Sequence, residues 1–397
     1  MSAAEQITDW RSFQTTETID AVSSTADTIH VTWSDGRQSP YDRFWLRDNC
    51  SCGACYLSST REQTFEIVDA PDDLAIQEAS LDTGQALVVL WSDGHRSRYE
   101  TGWLRINAYD DARRAERRRA SPSPVLWGAA RADVLPTFAY DAVMADDGEL
   151  LRWLVAVRDI GLTLIQGVPT EPKTLLGVAH RISHIRETNF GTVFNVASKP
   201  NPDSSAYTAV NLPPHTDLPT RELQPGVQFL HCLVNETTGG ESIFVDGFAI
   251  ADAMAQEAPA ELAMLTDTPM EFWNRDSRTD YRWSGPLISR DGEGHFSEVR
   301  FANFLRGPID APTDTMPAVY RALRLFQSMS REARFRVERK LSPGDMWVFD
   351  NRRVLHARRA FDPMSGNRHL QGVYVDRDEL RSRIRVLERE LGGVNGI

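Results

Sequence analysis

His215-Thr216-Asp217 and, far along the chain, His356 are residue types that can occupy one triangular face of a six-coordinate iron. Such a face leaves three positions for a co-substrate, water or O₂, which is the arrangement of an oxygen-activating site. His215 and Asp217 stand two apart, so in a strand or tight turn their side chains leave the same side of the backbone. The third ligand must arrive from another strand. Met346-Trp-Val-Phe349 reads as a buried strand, Asp350-Asn-Arg-Arg353 as a turn, and Val354-Leu355-His356 as the start of the next segment. Each fragment alone is weak, because a His-X-Asp arises by chance and a lone buried His is commonly a core residue. Two additions sharpen the set. Arg368 offers a planar guanidinium for the distal carboxylate of a dicarboxylate ligand. Gly239-Gly240-Glu241-Ser242, after the apolar strand Val227–Leu233, offers close backbone approach and a hydroxyl donor.

These residues carry a resemblance. Leu212-Pro-Pro-His-Thr-Asp217, Thr238-Gly-Gly-Glu-Ser242, Asp350-Asn-Arg-Arg-Val-Leu-His356 and Arg368-His-Leu-Gln-Gly-Val-Tyr374 resemble the Fe(II)/2-oxoglutarate dioxygenases of the taurine dioxygenase superfamily, most closely the γ-butyrobetaine dioxygenase branch. The resemblance runs from Trp33 to about Leu391. It implies iron held by His215, Asp217 and His356, with 2-oxoglutarate anchored by Arg368 and Ser242 and with ascorbate as a candidate stimulant. It further implies hydroxylation of γ-butyrobetaine to L-carnitine with release of succinate and CO₂, and a homodimer. Competing readings are hydroxylation of trimethyllysine or a trimethylammonium phosphonate, a non-catalytic metal-binding β-barrel sensor, and zinc hydrolysis at the His/Asp/His set.

A quaternary ammonium donates no hydrogen bond, so its recognition falls to aromatic faces. Phe190, Phe194, Tyr207 and Tyr374 match the aromatic-cage positions of the branch, while Ser204 and Asn303 match the positions that hold the substrate carboxylate. Animal members place Tyr and Trp where this chain has Phe190 and Phe194, and Asn where it has Ser204. Read without the resemblance, the four aromatics are ordinary core residues.

Upstream lies an internal repeat. Trp33-Ser-Asp-Gly36, Tyr41 and Trp45-Leu-Arg47 recur as Trp91-Ser-Asp-Gly94, Tyr99 and Trp103-Leu-Arg105. Each copy reads as a β-hairpin with a trailing turn, and two hairpins packing their aromatic faces predict a small β domain over 1–110. Cys50, Cys52 and Cys55 sit inside it, spaced for a thiolate knuckle rather than for disulfides. His95, at the tip of the second hairpin, completes a Cys₃His set for structural zinc, and the family carries zinc at matching positions. Cys232, in an apolar strand, reads as a core residue.

Five arginines between Arg113 and Arg119, followed by Ser121-Pro-Ser-Pro124, read as a solvated helix and linker over 111–125. The catalytic domain is then 126–397. Helices are expected around Leu150–Val157, Leu175–Ile185 and Val319–Phe326, and strands at Gly161–Gln166, Val227–Leu233, Ser242–Val245, Val299–Phe304, Phe335–Leu341, Met346–Phe349 and Leu370–Val375. This pattern fits an α+β, mostly β fold, and the resemblance supplies its topology, a double-stranded β-helix (jelly roll) with flanking helices. Leu380, Ile384, Leu387 and Leu391 form a stripe at helical spacing suited to packing on its own domain or on a second subunit.

The chain has 397 residues, 41% of them apolar and 25% charged, ordinary for a globular protein. A net charge of −12 argues against a nucleic-acid partner. With no apolar run of membrane-spanning length and no secretory leader pattern, a cytoplasmic protein without a membrane partner is expected.

Overall fold

The structure is a computed structural model that describes residues 13, 15–129, 135–197 and 208–392. It divides into two compact units, one ending at Pro122 and one spanning Ser123–Gly392.

In the first unit the repeat is built twice over. Strands Ile19–Ser24, Thr28–Trp33 and Gln38–Asp42 form one antiparallel sheet, and Ile76–Leu81, Leu87–Trp91 and Arg96–Tyr99 form the other. Each sheet has a preceding third strand that hairpin reading alone omits, and each carries a bulge in that strand, after Ile19 and after Ile76. The expected trailing turn is a helix in both copies, Arg43–Asp48 and Thr101–Asn107. Asp42 starts the first by accepting from the N–H groups of Phe44 and Trp45, relieving donors that a helix start leaves unpaired.

Alternation places Ile29, Val31, Trp33, Tyr41 and Leu46 in one core with Leu87, Val89, Trp91, Tyr99 and Leu104. Both tryptophans are fully buried, and each Nε1 donates to a serine of its own sheet, Trp33 to Ser39 and Trp91 to Ser97. Truncating either to Ala costs about 3–5 kcal/mol. The copies exchange contacts reciprocally. The Tyr41 hydroxyl donates to the Leu104 carbonyl at 2.8 Å, and the Tyr99 hydroxyl donates to the Leu46 carbonyl. Arg105 pairs with Asp35 at 2.5 Å, and Arg47 reaches Asp93 at 3.7 Å. The arginine-rich run is the helix Asp111–Ala120, which belongs to this unit: Arg117 donates to the carbonyls of Ile106 and Ala108.

The second unit holds two sheets. A six-stranded sheet runs in the order Phe194–Val196, Arg368–Val375, Val227–Asn235, Met346–Asp350, Leu162–Gln166 and Thr137–Ala139. A four-stranded sheet runs Leu212–His215, Val354–Arg358, Ser242–Asp246 and Arg336–Arg339. Leu162, Leu164, Cys232, Trp347, Phe349 and Leu370 of the large sheet meet Phe244, Val337 and Val354 of the small one in a shared core. Helices Asp147–Ile160, Thr174–His180 and Arg377–Glu390 cover the large sheet, and Leu380, Ile384 and Leu387 are buried there, so the terminal stripe packs on its own unit. Helices Gly247–Glu257, Pro259–Asp267 and Met316–Met329 form a further core with Ile243, Val245, Leu355 and Ala357 of the small sheet.

Two expected elements differ. The helix after Thr174 ends at His180, short of Ile185. The expected strand Val299–Phe304 is instead the end of the strand Phe296–Val299 followed by a 3₁₀ turn, Asn303–Leu305. The reason is side-chain capture. Buried Arg300 donates to Glu298 and to the carbonyls of Pro219, Arg221 and Glu222, while the Phe301 N–H donates to the Thr216 hydroxyl, so this backbone is tied to the loop after His215. Among the described residues no helix is long and apolar enough to cross a membrane.

Candidate metal and co-substrate site

His215 ends the strand Leu212–His215 and pairs across the ladder with His356, which lies mid-strand in Val354–Arg358. The His215 Nε2 lies 3.3 Å from Asp217 Oδ1, and the His356 Nε2 lies 3.6 Å from the same oxygen. One ligand atom from each residue falls within 4.8 Å of the others, a spacing that fits a single ion. The His215 Nδ1 sits 2.9 Å from the Pro213 carbonyl. A carbonyl only accepts, so Nδ1 carries the proton and Nε2 presents its lone pair to the Asp217 side.

The backbone of Asp217 is held on both sides. Its N–H donates to Asn351 Oδ1 at 2.7 Å, and its carbonyl accepts from Asn351 Nδ2 at 3.0 Å and from Gln224 Nε2 at 2.7 Å. Asn351 and Gln224 are fully buried. The next residue, Leu218, takes a left-handed conformation at φ 53°, costly for a side chain with a Cβ, which turns the chain away just after the carboxylate. Burial by itself would raise the Asp217 carboxyl. The two histidines beside it, His356 first, and the Tyr374 hydroxyl donating at 2.7 Å outweigh it and hold the group well below the usual carboxylate range. Burial, then the nearby His215, pushes His356 down to about 3, which keeps its imidazole neutral and able to donate a lone pair to a cation.

A cavity of about 590 Å³ opens beside these ligands. Ser242, Arg358 and Arg368 line one part of it and Phe190, Phe194 and Tyr374 another. No hydrogen bond or ion pair engages the Arg368 guanidinium among the described residues, and its Nε is buried without a partner. Burial lowers Arg368 to about 10, still cationic at neutral pH. Arg358 stands near it, lowered to about 10 by burial and by the charge of Arg368, and donates to the carbonyls of Thr208 and Val210. A half-buried guanidinium facing a cavity, with no hydrogen bond or ion pair of its own, is a ready donor to a carboxylate.

Phe194 stacks on Tyr374 with ring centroids 5.0 Å apart. It lies flat across Gly372, where a Cβ would come within 2.1 Å of the ring. Asn303 is exposed, accepts from Gln327 at 3.2 Å and is not among the residues lining the cavity. The resemblance gives Asn303 a place at the substrate carboxylate; in this structure the 3₁₀ turn that replaces the expected strand has Phe304 and Leu305 among the residues lining the cavity. Ser204 and Tyr207 lie outside the described residues. Asn351, Gln224 and the double duty of Tyr374 escape sequence reading, because a polar residue in a turn carries no signal of what it clamps.

In the first unit the His95 Nε2 lies 3.3 Å from the Cys50 sulfur and 3.6 Å from those of Cys52 and Cys55. These four ligand atoms also fall within 4.8 Å of one another, a donor set that fits tetrahedral zinc. Burial, then the charge of Arg47, lowers His95, which favours the neutral, ligating ring.

Comparison with known proteins agrees with this geometry. Residues 118–374 match the family described as taurine catabolism dioxygenase TauD, TfdA family, and residues 21–105 match one described as gamma-butyrobetaine hydroxylase-like, N-terminal. A gamma-butyrobetaine dioxygenase of Pseudomonas sp. (strain AK-1) is 55% identical over 96% of this chain and the whole of that protein. The Homo sapiens gamma-butyrobetaine dioxygenase is 31% identical over 93% of this chain and 97% of that protein. A trimethyllysine dioxygenase of Meyerozyma guilliermondii is 27% identical over 91% of this chain and 94% of that protein. The chain belongs to the TauD, TfdA family of dioxygenases.

Proposed function

We propose that this protein hydroxylates γ-butyrobetaine to L-carnitine, consuming 2-oxoglutarate and O₂ and releasing succinate and CO₂. The observation that carries the reading is one cavity joining three groups: the His215/Asp217/His356 set, the unengaged Arg368, and the aromatic rings of Phe190, Phe194 and Tyr374. The 55% identity to a named γ-butyrobetaine dioxygenase selects the substrate among trimethylammonium compounds.

His215, Asp217 and His356 would hold Fe(II), which with 2-oxoglutarate and O₂ would supply the oxidising power for hydroxylation. Asp217, kept anionic, and two neutral imidazoles leave a single negative charge to offset the dication. Arg368, aided by Ser242, anchors the distal carboxylate of 2-oxoglutarate by charge-assisted hydrogen bonds. The aromatic rings, with Tyr207, attract the trimethylammonium group through their faces. The two facing sheets correspond to a double-stranded β-helix with the iron ligands on its small sheet, and Cys50, Cys52, Cys55 and His95 hold a structural zinc. The working form is a cytoplasmic homodimer.

Succinate release across a panel of γ-butyrobetaine, trimethyllysine and a trimethylammonium phosphonate tests the reading. Highest kcat/KM with γ-butyrobetaine is the expected result. Preference for another member reassigns the substrate, and iron uptake without succinate from any of them overturns the enzymatic reading.

A further inference from the structure

The proposed substrate is a zwitterion, and the cavity residues described so far account for its cation better than for its carboxylate. Asn303 sits outside the lining and is bonded to Gln327. Among the described residues three cationic side chains line the cavity: Arg275, Arg358 and Arg368. Arg368 faces the proposed 2-oxoglutarate position, and Arg358 beside it is occupied by the Thr208 and Val210 carbonyls. That leaves Arg275.

Arg275 ends the strand Pro269–Arg275, which forms a hairpin with Asp280–Pro286. Fixed contacts set this hairpin against the metal-ligand region. The Gly307 N–H donates to the Glu271 carbonyl at 2.7 Å, and Phe272 bridges to Arg306, so the hairpin is pinned to the turn carrying Phe304, whose ring lies 5.1 Å from the His215 ring. On the opposite strand, Arg221 stacks over Tyr281 at 3.5 Å and Arg300 over Trp283 at 3.7 Å, and both arginines follow His215 or bind the loop that does. Arg275 is thus held at the cavity by a braced scaffold, on an element distinct from the strands bearing Arg358 and Arg368.

Arg275 is exposed at the cavity, and its guanidinium lies over the Trp273 ring, 5.3 Å from the centroid, a contact that leaves its N–H groups open to a carboxylate. No hydrogen bond or ion pair engages Arg275 among the described residues. Asp280, its cross-strand partner in register, is taken by Arg282 at 2.8 and 2.6 Å. Asp276, which also lines the cavity, is committed to the turn, accepting from the N–H groups of Arg278 and Thr279 and from the Thr279 hydroxyl. Asn274, next to Arg275 along the lining, adds a neutral amide.

We infer that Arg275 receives the carboxylate of the zwitterionic substrate and so sets selectivity for a betaine over a cation without an anionic end. The inference rests on the proposed function. An aromatic face recognises the trimethylammonium group whatever lies at the other end, so a guanidinium lining the same cavity supplies the discrimination that stacking cannot.

The test compares γ-butyrobetaine with its carboxamide analogue in the wild-type enzyme, R275A and R275Q. Loss of one charge-assisted contact predicts that R275A lowers kcat/KM for γ-butyrobetaine about 10- to 100-fold, chiefly through KM. Turnover of the carboxamide should change less than about twofold, because the missing interaction is to a charge it lacks. R275Q, which keeps much of the side-chain volume, should follow R275A, and an unchanged KM for 2-oxoglutarate in both variants reports an intact fold. Equal losses on both substrates, or no loss on γ-butyrobetaine, overturn the role of Arg275 alone. A wild-type enzyme that releases no succinate with γ-butyrobetaine overturns the parent reading, and this inference with it.

Discussion

The two ligand clusters of this chain are opposites in design. Around His95 three sulfurs close in at 3.3–3.6 Å, Cys50 and Cys55 are buried, and the four donors are enough to fill a tetrahedral ion. Around Asp217 three donors converge among the described residues, and one side gives onto a cavity. The Cys₃His cluster joins two chain segments that a hairpin repeat brings together, so an ion there would act on stability. The His₂Asp cluster is braced from outside by Asn351, Gln224 and Tyr374, so an ion there would act on chemistry. Ligand count separates a staple from a reactive centre, and the residues behind the ligands show which of the two the fold has been built to hold steady.

Substitutions that strike one cluster and spare the other make this contrast measurable. His215→Ala should lower coupled succinate release by about a thousandfold or more, since several kcal/mol of metal-derived stabilisation go with the ligand. Its zinc content should stay at wild-type level, and full turnover by this variant refutes the ligand assignment. Arg368→Ala should raise the KM for 2-oxoglutarate about 10- to 100-fold; an unaltered KM would move the dicarboxylate elsewhere. Asn351→Ala touches no ion, yet it should weaken iron affinity about 10- to 100-fold, measured by titration with Co(II) as a spectroscopic stand-in. If affinity holds while only thermal stability drops, Asn351 is a core residue and not a brace. Cys50→Ser should cost the first unit its zinc and several kcal/mol, read as faster amide exchange over residues 19–105 with iron binding unchanged. Retained zinc in that variant removes Cys50 from the set.

The smallest effect uses a control within the fold. His231 is fully buried, with both ring nitrogens unpartnered among the described residues, and burial lowers it to about 4. It resembles His356 in burial but belongs to no ligand cluster. Both rings take up a proton near pH 6.5 when unfolded and only at about 4 and about 3 when folded. The unfolded chain therefore gains protons first as pH falls. Stability of the metal-free protein is full above about pH 6.5 and declines below it, by at most about 3 kcal/mol for His231 and about 5 kcal/mol for His356. His231→Leu should flatten the part of that decline above pH 4, and an unchanged slope assigns the titration to other groups.

Sequence alone makes the ligands legible because metal chemistry restricts residue type and because a separation of two residues fixes side-chain direction in a strand. The repeat is legible for a similar reason: Trp, Ser-Asp-Gly and Tyr recur in step, and the buried positions follow them. What stays hidden depends on contacts distant in the chain. Asn351 reads as one polar residue of a turn until the fold places it against Asp217. Arg300 reads as one charged residue inside the expected strand Val299–Phe304, yet its burial against three loop carbonyls is why that strand gives way to a turn. The helices after Asp42 and Glu100 are short and aromatic-rich, so helical spacing over so few residues is hard to separate from a turn.

The crossed tyrosines of the first unit have a consequence for how that part of the molecule can assemble. The Tyr41 hydroxyl donates to Leu104 and that of Tyr99 to Leu46, so each half carries a socket for the other's plug. Neither half expressed by itself would fold, whereas the two supplied as separate peptides, severed in the exposed stretch near Ser58, should recognise one another and rebuild the pair.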